Sequence, residues 1–323
     1  MMKRTCLLWL AVTIASCATV VTAANLPLET LPANAKWVLH LDVKAFRDSP
    51  LGRELLAALA GTPQEAELQV FEAAFACDVR RDLVAVTVCG AGGEAQGGVA
   101  YLRGNWDLRK LSATLAGNQP SATASYGRHT IMNWSGVKAD GSERQSVCLV
   151  SSNLVLLANR EAALRLALDA LDGRAPTLAT VPRFRRMATL DTNAFLRLIA
   201  VDLKEIVADQ LLAVALSASG SLRLAVSSDG AEVQAKAVLQ EGTPAAALEA
   251  QQALVGLQAV MMLQGLKNPD IGKIAKTARI EVNGPDVNVI LSVSVETVRH
   301  LVFARPGKKS PPHASPQPVP ASF

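Results

Sequence analysis

The chain has 323 residues, half of them hydrophobic but only 4% aromatic, with a formal net charge of +4. That length accommodates one large or two ordinary domains, and the apolar share is enough to bury a core in either case. Two of the basic residues, Lys3 and Arg4, belong to an N-terminal leader, and what remains is too nearly neutral to call for nucleic acid or an anionic membrane as partner.

The leader runs from "MMKR" through the apolar "LLWLAVTIASCATVV" to "TAAN", the charge, apolar and small-residue succession of a signal peptide over residues 1–24. "IASC" at 14–17 supplies an alternative ending, in which Cys17 is lipidated and becomes the mature N-terminus. No later run reaches the roughly 18 consecutive apolar residues of a membrane helix. The expectation is an extracytoplasmic protein, periplasmic or secreted, with no transmembrane span in the mature chain and a lipid anchor through Cys17 as the alternative. Beyond the leader lie Cys77, Cys89 and Cys148, an odd number in which at most one internal bridge can form. Two fall in expected strands, and small buried thiols are the first reading, with one disulfide as the second. None has a Cys or His neighbour at ligand spacing, so no metal is expected.

After a short lead-in at 25–35, "WVLHLDV" at 37–43 alternates as a strand. Ser49 and Pro50 then open a helix with Leu51, Leu55 and Leu59 on one side, stopped near Gly61 and Pro63. "DLVAVTVCG" and "GVAYLRG" read as two strands, and "NWDLRKLSATLAG" as a helix capped by Asn105 with Asp107 near its N-terminus. "RQSVCLV" and "NLVLLA" form a further strand pair, followed by a helix carrying Leu164, Ala167, Leu168 and Leu171 on one face. "RAPTLATVP" at 174–182 has the composition of a linker. The order then recurs: "MATLDTNAF" as a strand-like start, "LRLIAVDLKEIVADQLLAVAL" as a helix, a hairpin about Asp229–Gly230, a long helix from Thr243–Pro244, a hairpin about Asn283–Gly284, and a final helix begun by Ser294. The Pro- and Ser-rich end reads as a disordered tail.

Each half thus reads β-α-ββ-α-ββ-α, and the hexapeptides "LDVKAF" (41–46) and "LDTNAF" (190–195) mark the first strand-to-helix corner of both. The expected fold is α+β: two related halves at 25–173 and 183–304, each an antiparallel sheet with helices on one face, ferredoxin-like in part, with a linker at 174–182 and a tail at 305–323.

Motifs for chemistry dissolve on inspection. Gly90, Gly92 and Ala95 match a dinucleotide-binding spacing, but a strand follows where a helix must present its N-terminus to a pyrophosphate, so no nucleotide cofactor is expected. Ser135 and Lys138 have the spacing of a lysine-activated serine, but they lie in a turn-rich polar stretch, and the sequon at Asn133 is equally weak. His40, His129, His300 and His313 are scattered, and "RFRR" (Arg183, Arg185, Arg186) reads as a solvated junction. Asp42 and Asp191 sit at matching positions of the two hexapeptides, and paired acids serve hydrolysis; the simpler reading makes each a turn acceptor. No catalytic residue, cofactor or metal ligand is assigned.

The segment "LPANAKWVLHLDVKAFRDSPLGRELL" at 31–56, a strand, an Asp and a helix begun at "SPLG", resembles the start of poorly characterised exported bacterial proteins. The resemblance implies export and carries no activity. The functional expectation is a non-catalytic binding or structural module of the bacterial envelope, its partner unknown, with another envelope protein as the candidate. A hydrolase built on dispersed acids, or a carrier of an apolar ligand, is the alternative.

Overall fold

The computed structural model describes residues 26–92, 97–118, 120–135, 144–189, 191, 193–203, 220–266 and 268–303. Its centre is a twelve-stranded, wholly antiparallel sheet, which with the helices packed on it makes the α+β fold expected. The strands in chain order are β1 (Trp37–Asp42), β2 (Leu83–Gly90), β3 (Gly98–Gly104), β4 (Ala122–Tyr126), β5 (His129–Ser135), β6 (Arg144–Ser151), β7 (Leu154–Ala158), β8 (Leu196–Val201), β9 (Ser221–Asp229), β10 (Glu232–Gln240), β11 (Arg279–Asn283) and β12 (Asp286–Ser294). Across the sheet they run β11-β12-β10-β9-β8-β1-β2-β3-β7-β6-β5-β4. The two antiparallel portions are continuous, because β1 pairs with β8 from Trp37↔Ala200 to Leu41↔Leu196. Read outward from that seam, β1-β2-β3-β7-β6 and β8-β9-β10-β12-β11 follow one strand order, and the hairpin β4–β5 extends the first portion alone.

Glycine turns set two of these hairpins where expected. Gly230 and Gly284 adopt φ of 54° and 60°, the left-handed region that a two-residue hairpin loop requires. The register follows, with Glu232 opposite Asp229 and Asn283 opposite Asp286.

Ten helices are found among the described residues: α1 (Val43–Asp48), α2 (Pro50–Ala57), α3 (Pro63–Phe75), α4 (Val79–Asp82), α5 (Leu108–Gly117), α6 (Glu161–Leu171), α7 (Pro182–Ala188), α8 (Pro244–Gln264), α9 (Pro269–Thr277) and α10 (Val295–Phe303). Side-chain oxygens begin most of them by accepting otherwise orphaned backbone N–H groups. Ser49 accepts from Gly52 N at 3.0 Å, Thr62 from Glu65 N at 3.3 Å, and Ser294 from Thr297 N at 3.1 Å. At α5 the cap is Asp107 rather than Asn105, since its carboxylate reaches the N–H groups of both Arg109 and Lys110 at 3.1 Å. A charged acceptor two residues nearer the helix outcompetes the amide.

Leu41, Val86 and Leu102 point to one face and pack with Phe46 of α1, Leu55 of α2, Leu59 just beyond it and Leu111 of α5, with α10 at the margin. Val38, Tyr101 and Leu156 point to the other, against Leu164 and Leu168 of α6 and Phe184 of α7. Helices therefore cover both faces of the first portion. The stretches 25–35 and 174–182 contribute to this second core: Leu28, Leu31 and Leu178 are buried in it, and Pro32 bridges to Thr177. A third cluster joins Ala247 and Ala250 of α8 to Ala200, Leu203, Leu239 and Val287. Ala200 is the partner of Trp37, which shares a face with Leu41, so α8 lies on the same side of the sheet as α1.

Two expectations fail in the second half. Residues 196–201, assigned to a helix, are strand β8, and residues 186–195 contain the end of α7 and an irregular approach to β8 rather than a strand. The hexapeptides accordingly have different local shapes: the first ends β1 and starts α1, while the second precedes β8, with Leu190 and Thr192 outside the described residues. A central strand is apolar on both faces and loses the alternation that would reveal it. The remainder of the expected helix, 204–216, the leader and the tail lie outside the described residues.

Gly52, at the start of α2, lies against the preceding helix: a Cβ there would stand 1.9 Å from the Phe46 carbonyl oxygen, whereas at Gly117 nothing lies within 4 Å. Gly52→Ala is expected to lower stability in urea unfolding by about 2 kcal/mol or more, and Gly117→Ala to leave it unchanged or slightly raised.

Candidate functional site

The seam between β1 and β8 buries a row of polar side chains. Register places Arg197, His40, Thr87 and Tyr101 side by side across β8, β1, β2 and β3, and all four are at most 4% exposed. His40 Nδ1 lies 2.8 Å from Thr87 Oγ1. Burial lowers the pKa of the Arg197 guanidinium from its ordinary value, opposed by the charges of Asp42 and Asp191. The two hexapeptide acids therefore converge, but on a cation rather than around a substrate. Asp42 is buried and spends Oδ1 on the N–H of Ala45 at 2.8 Å, the cap of α1. Asp191 holds a left-handed φ of 56° and places Oδ2 3.2 Å from Arg223 Nε. The two motifs also touch, since Asp42 N donates to Phe195 O at 2.7 Å and Phe46 meets Phe195 edge to face at 5.2 Å. Both carboxylates are committed to backbone and cations, which removes the open acid–base pair that hydrolysis needs.

A second polar group ties the hairpin β4–β5 to the C-terminal end of α6. Tyr126 lies between the guanidinium carbons of Arg165 and Arg174, 4.8 and 5.5 Å from its ring centre, and donates its hydroxyl to Asp169 at 2.8 Å. Asp172, only 6% exposed, receives Arg128 at 2.6 Å, His129 at 3.1 Å and Arg174. Burial works against ionisation of Asp172, yet hydrogen bonds from His129, Arg174 and Arg128 carry its pKa down to about 2. Every charge in this group has an opposite beside it, and the hairpin is fastened by it. Residue patterns do not reveal this group, because the partners lie about forty residues apart and nothing marks 122–135 as a hairpin.

The thiols are free: Cys89 and Cys148 are buried and Cys77 half-buried. Desolvation pushes Cys77 and Cys89 up to about 12 and Cys148 to about 11, so none carries the thiolate that nucleophilic or metal chemistry uses. Among the described residues no cluster of three or more His, Cys, Asp or Glu side chains could hold a metal ion. His300, exposed on α10, lies 3.8 Å from Asp270 and Glu296. Arg185 and Arg186 are exposed at the end of α7. Gly90 ends β2 and Asn133 lies in β5, while Ala95, Lys138, His313 and Cys17 fall outside the described residues.

The surface that stands apart is α8. Its inner side sets Ala247, Ala250 and the half-buried Leu254 against the sheet, and the backbones of Gly265 and Gly272 pack so closely that a Cβ at Gly265 would stand 2.5 Å from Gly272 Cα. Its inward glutamines bind carbonyls, Gln251 that of Ile280 at 3.2 Å and Gln258 those of Ala275 and Ala278 at 2.8 and 3.1 Å. Its large apolar side chains face water, with Leu248 53%, Val255 48%, Val260 41%, Met262 40%, Leu263 67% and, just beyond the helix, Leu266 83% exposed. By length and composition α8 is apolar enough to cross a membrane. Glutamines at 251, 252, 258 and 264 interrupt the apolar run and hid this in the sequence. Exposed apolar surface gathered on one element marks an interaction site.

No protein-family model matches this chain, and no curated protein does. Among solved structures it is similar to crystal form III of TP0453, at 13% identity over 87% of this chain and 98% of that one, with a TM-score of 0.51. Crystal form I of the same protein matches over 87% and 97%, at 13% identity and a TM-score of 0.47. The likeness is one of fold.

Three outcomes follow. Arg197→Leu, which leaves the buried Asp42 carboxylate without that cation, is expected to cost about 3 kcal/mol or more in urea unfolding. Asp172 has a lowered pKa, so its contribution is present above its ordinary value of 3.8 and lost as pH falls toward about 2. Asp172→Asn is therefore expected to lower stability at pH 7 and to flatten the loss of stability between about pH 4 and 2. Cys89 and Cys148 are expected to resist iodoacetamide at pH 8 until the protein is unfolded, as read by mass spectrometry.

Proposed function

We propose that this protein is a non-catalytic interaction module of the bacterial envelope that works through the exposed apolar side of α8. The observation that carries the reading is the outer side of that helix, where Leu248, Val255, Val260, Met262 and Leu263 stand in water while Ala247, Ala250 and Leu254 meet the sheet. Leaving such side chains in water sacrifices roughly 1.5–3 kcal/mol each relative to burial, a cost that a partner surface removes. The commitment of Asp42, Asp191 and Asp172 to structural bonds supports a binding role over a hydrolytic one. The leader-like segment at 1–24 supports placement outside the cytoplasm.

A photo-reactive residue at position 263, introduced in the living cell, is expected to yield a covalent adduct, and one at exposed Glu67 on α3 to yield none. Adducts at 67 with none at 263 contradict the reading. Leu263→Glu is expected to change stability by no more than about 0.5 kcal/mol in thermal or urea unfolding, as befits a side chain with no fold to support.

A further inference from the structure

The sulfur atoms of the described residues differ in how easily an oxidant in solution reaches them. Cys89 and Cys148 are buried, Cys77 is half-buried, and all three are free thiols. Burial raises their pKa values, so the thiolate that reacts with peroxides is scarce at neutral pH. A thioether has no proton to lose, and access alone sets its rate. Met132 packs against one core and Met187 against the other. Met261 continues the inward line of Leu254 and Gln258 along α8 and is half-buried. Met262 stands 40% exposed and is the one exposed sulfur-bearing residue among those described. We propose, resting on the interaction role of α8, that Met262 is a redox-sensitive site: a peroxide converts it to the sulfoxide, and the sulfoxide weakens binding at that surface.

The reaction needs no group beyond the thioether and the peroxide. The sulfur lone pair attacks one oxygen of hydrogen peroxide, so that an S–O bond forms as the O–O bond breaks. Sulfur gives up two electrons and the peroxide takes them. The proton on the transferred oxygen passes to the departing hydroxide, which leaves as water. Methionine sulfoxide reductases, one for each epimer, reverse the change.

Place on the helix decides the consequence. Ala259 lies one turn before Met262 and Leu266 one turn after, and both are exposed, as are Val255 and Leu263 nearby. A sulfoxide set among them carries a strong hydrogen-bond acceptor into an apolar contact, where nothing replaces the water it loses. The fold is indifferent to that acceptor, because Met262 belongs to none of the three core clusters. The same oxidation at Met132 or Met187 would strike a core instead.

Brief exposure of the purified protein to hydrogen peroxide, followed by peptide mapping in a mass spectrometer, is expected to place the first added oxygen at Met262. Met132, Met187 and Met261 are expected to follow later, and the thermal transition to stay unmoved by the first oxidation. In the living cell, the adduct yield of the photo-reactive residue at 263 is expected to fall about threefold or more after peroxide. Met262→Gln, a polar side chain of similar length, is expected to lower the yield as far without peroxide. Met262→Leu is expected to keep the adduct and to make it insensitive to peroxide. Oxidation of Met132, Met187 or a thiol before Met262 overturns the site. An adduct unmoved by peroxide and by Met262→Gln overturns the switch and leaves the interaction role standing. So does loss of the Met262→Leu adduct under peroxide, which places the sensitive group on the partner. Absence of any adduct in untreated cells removes the interaction role and the switch together.

Discussion

Twelve strands share one sheet because β1 and β8 close on each other edge to edge, five residue pairs running from Trp37↔Ala200 to Leu41↔Leu196. Without that seam each portion presents a central strand with an open hydrogen-bonding edge, which invites aggregation. With it, the open edges move outward to β4 and β11, five residues each. At β11 the exposed Arg279 and Glu281 further discourage pairing. The seam also fixes the chemistry beside it. Pairing His40 with Arg197 buries a guanidinium, and the acids at 42 and 191 are the charges that make that burial tolerable. Polar residues at a central seam penalise a one-residue slip, since a shift would turn them into the opposite apolar core.

From this frame the position of α8 follows. Ala200 of β8 and Leu239 of β10 form the surface on which α8 seats Ala247 and Ala250, with Leu254 beside them. The close Gly265–Gly272 approach then locks α9 against its end. With so few residues seating the helix, most of its large side chains are left on the outside. The apolar exposure of α8 is thus built into how the helix docks, with Ala247 and Ala250 as its buried residues.

Much of the scaffold could be read from residues. The hairpins at Asp229–Gly230 and Asn283–Gly284, the helix begun at Ser49–Pro50 and the strand at 37–42 all rest on local rules that tertiary contacts did not override. Strand β8 escaped because both of its faces are apolar, Leu196 and Ala200 on one and Ile199 and Val201 on the other, so no alternation remained. The paired hexapeptides were noticed for one reason and matter for another. They do not repeat a corner, yet Phe46 and Phe195 meet edge to face and the charges of Asp42 and Asp191 both act on one arginine. The polar fastening of β4–β5 could not have been seen, because His129 and Asp172 are neighbours only in the folded chain. The exposed side of α8 was visible as composition but not as exposure, since a sequence reports the period of apolar residues and not which face a neighbour will cover.

The seam is the claim on which the account stands, and native-state hydrogen exchange tests it most directly. The amides of Asp42 and Val201, which bond Phe195 and Lys36 across it, should exchange only through global unfolding, with the same free energy as amides in β3 and β10. Exchange at the seam by a lower-energy opening, with β3 and β10 each still protected, would show two sheets resting against one another and would contradict the account.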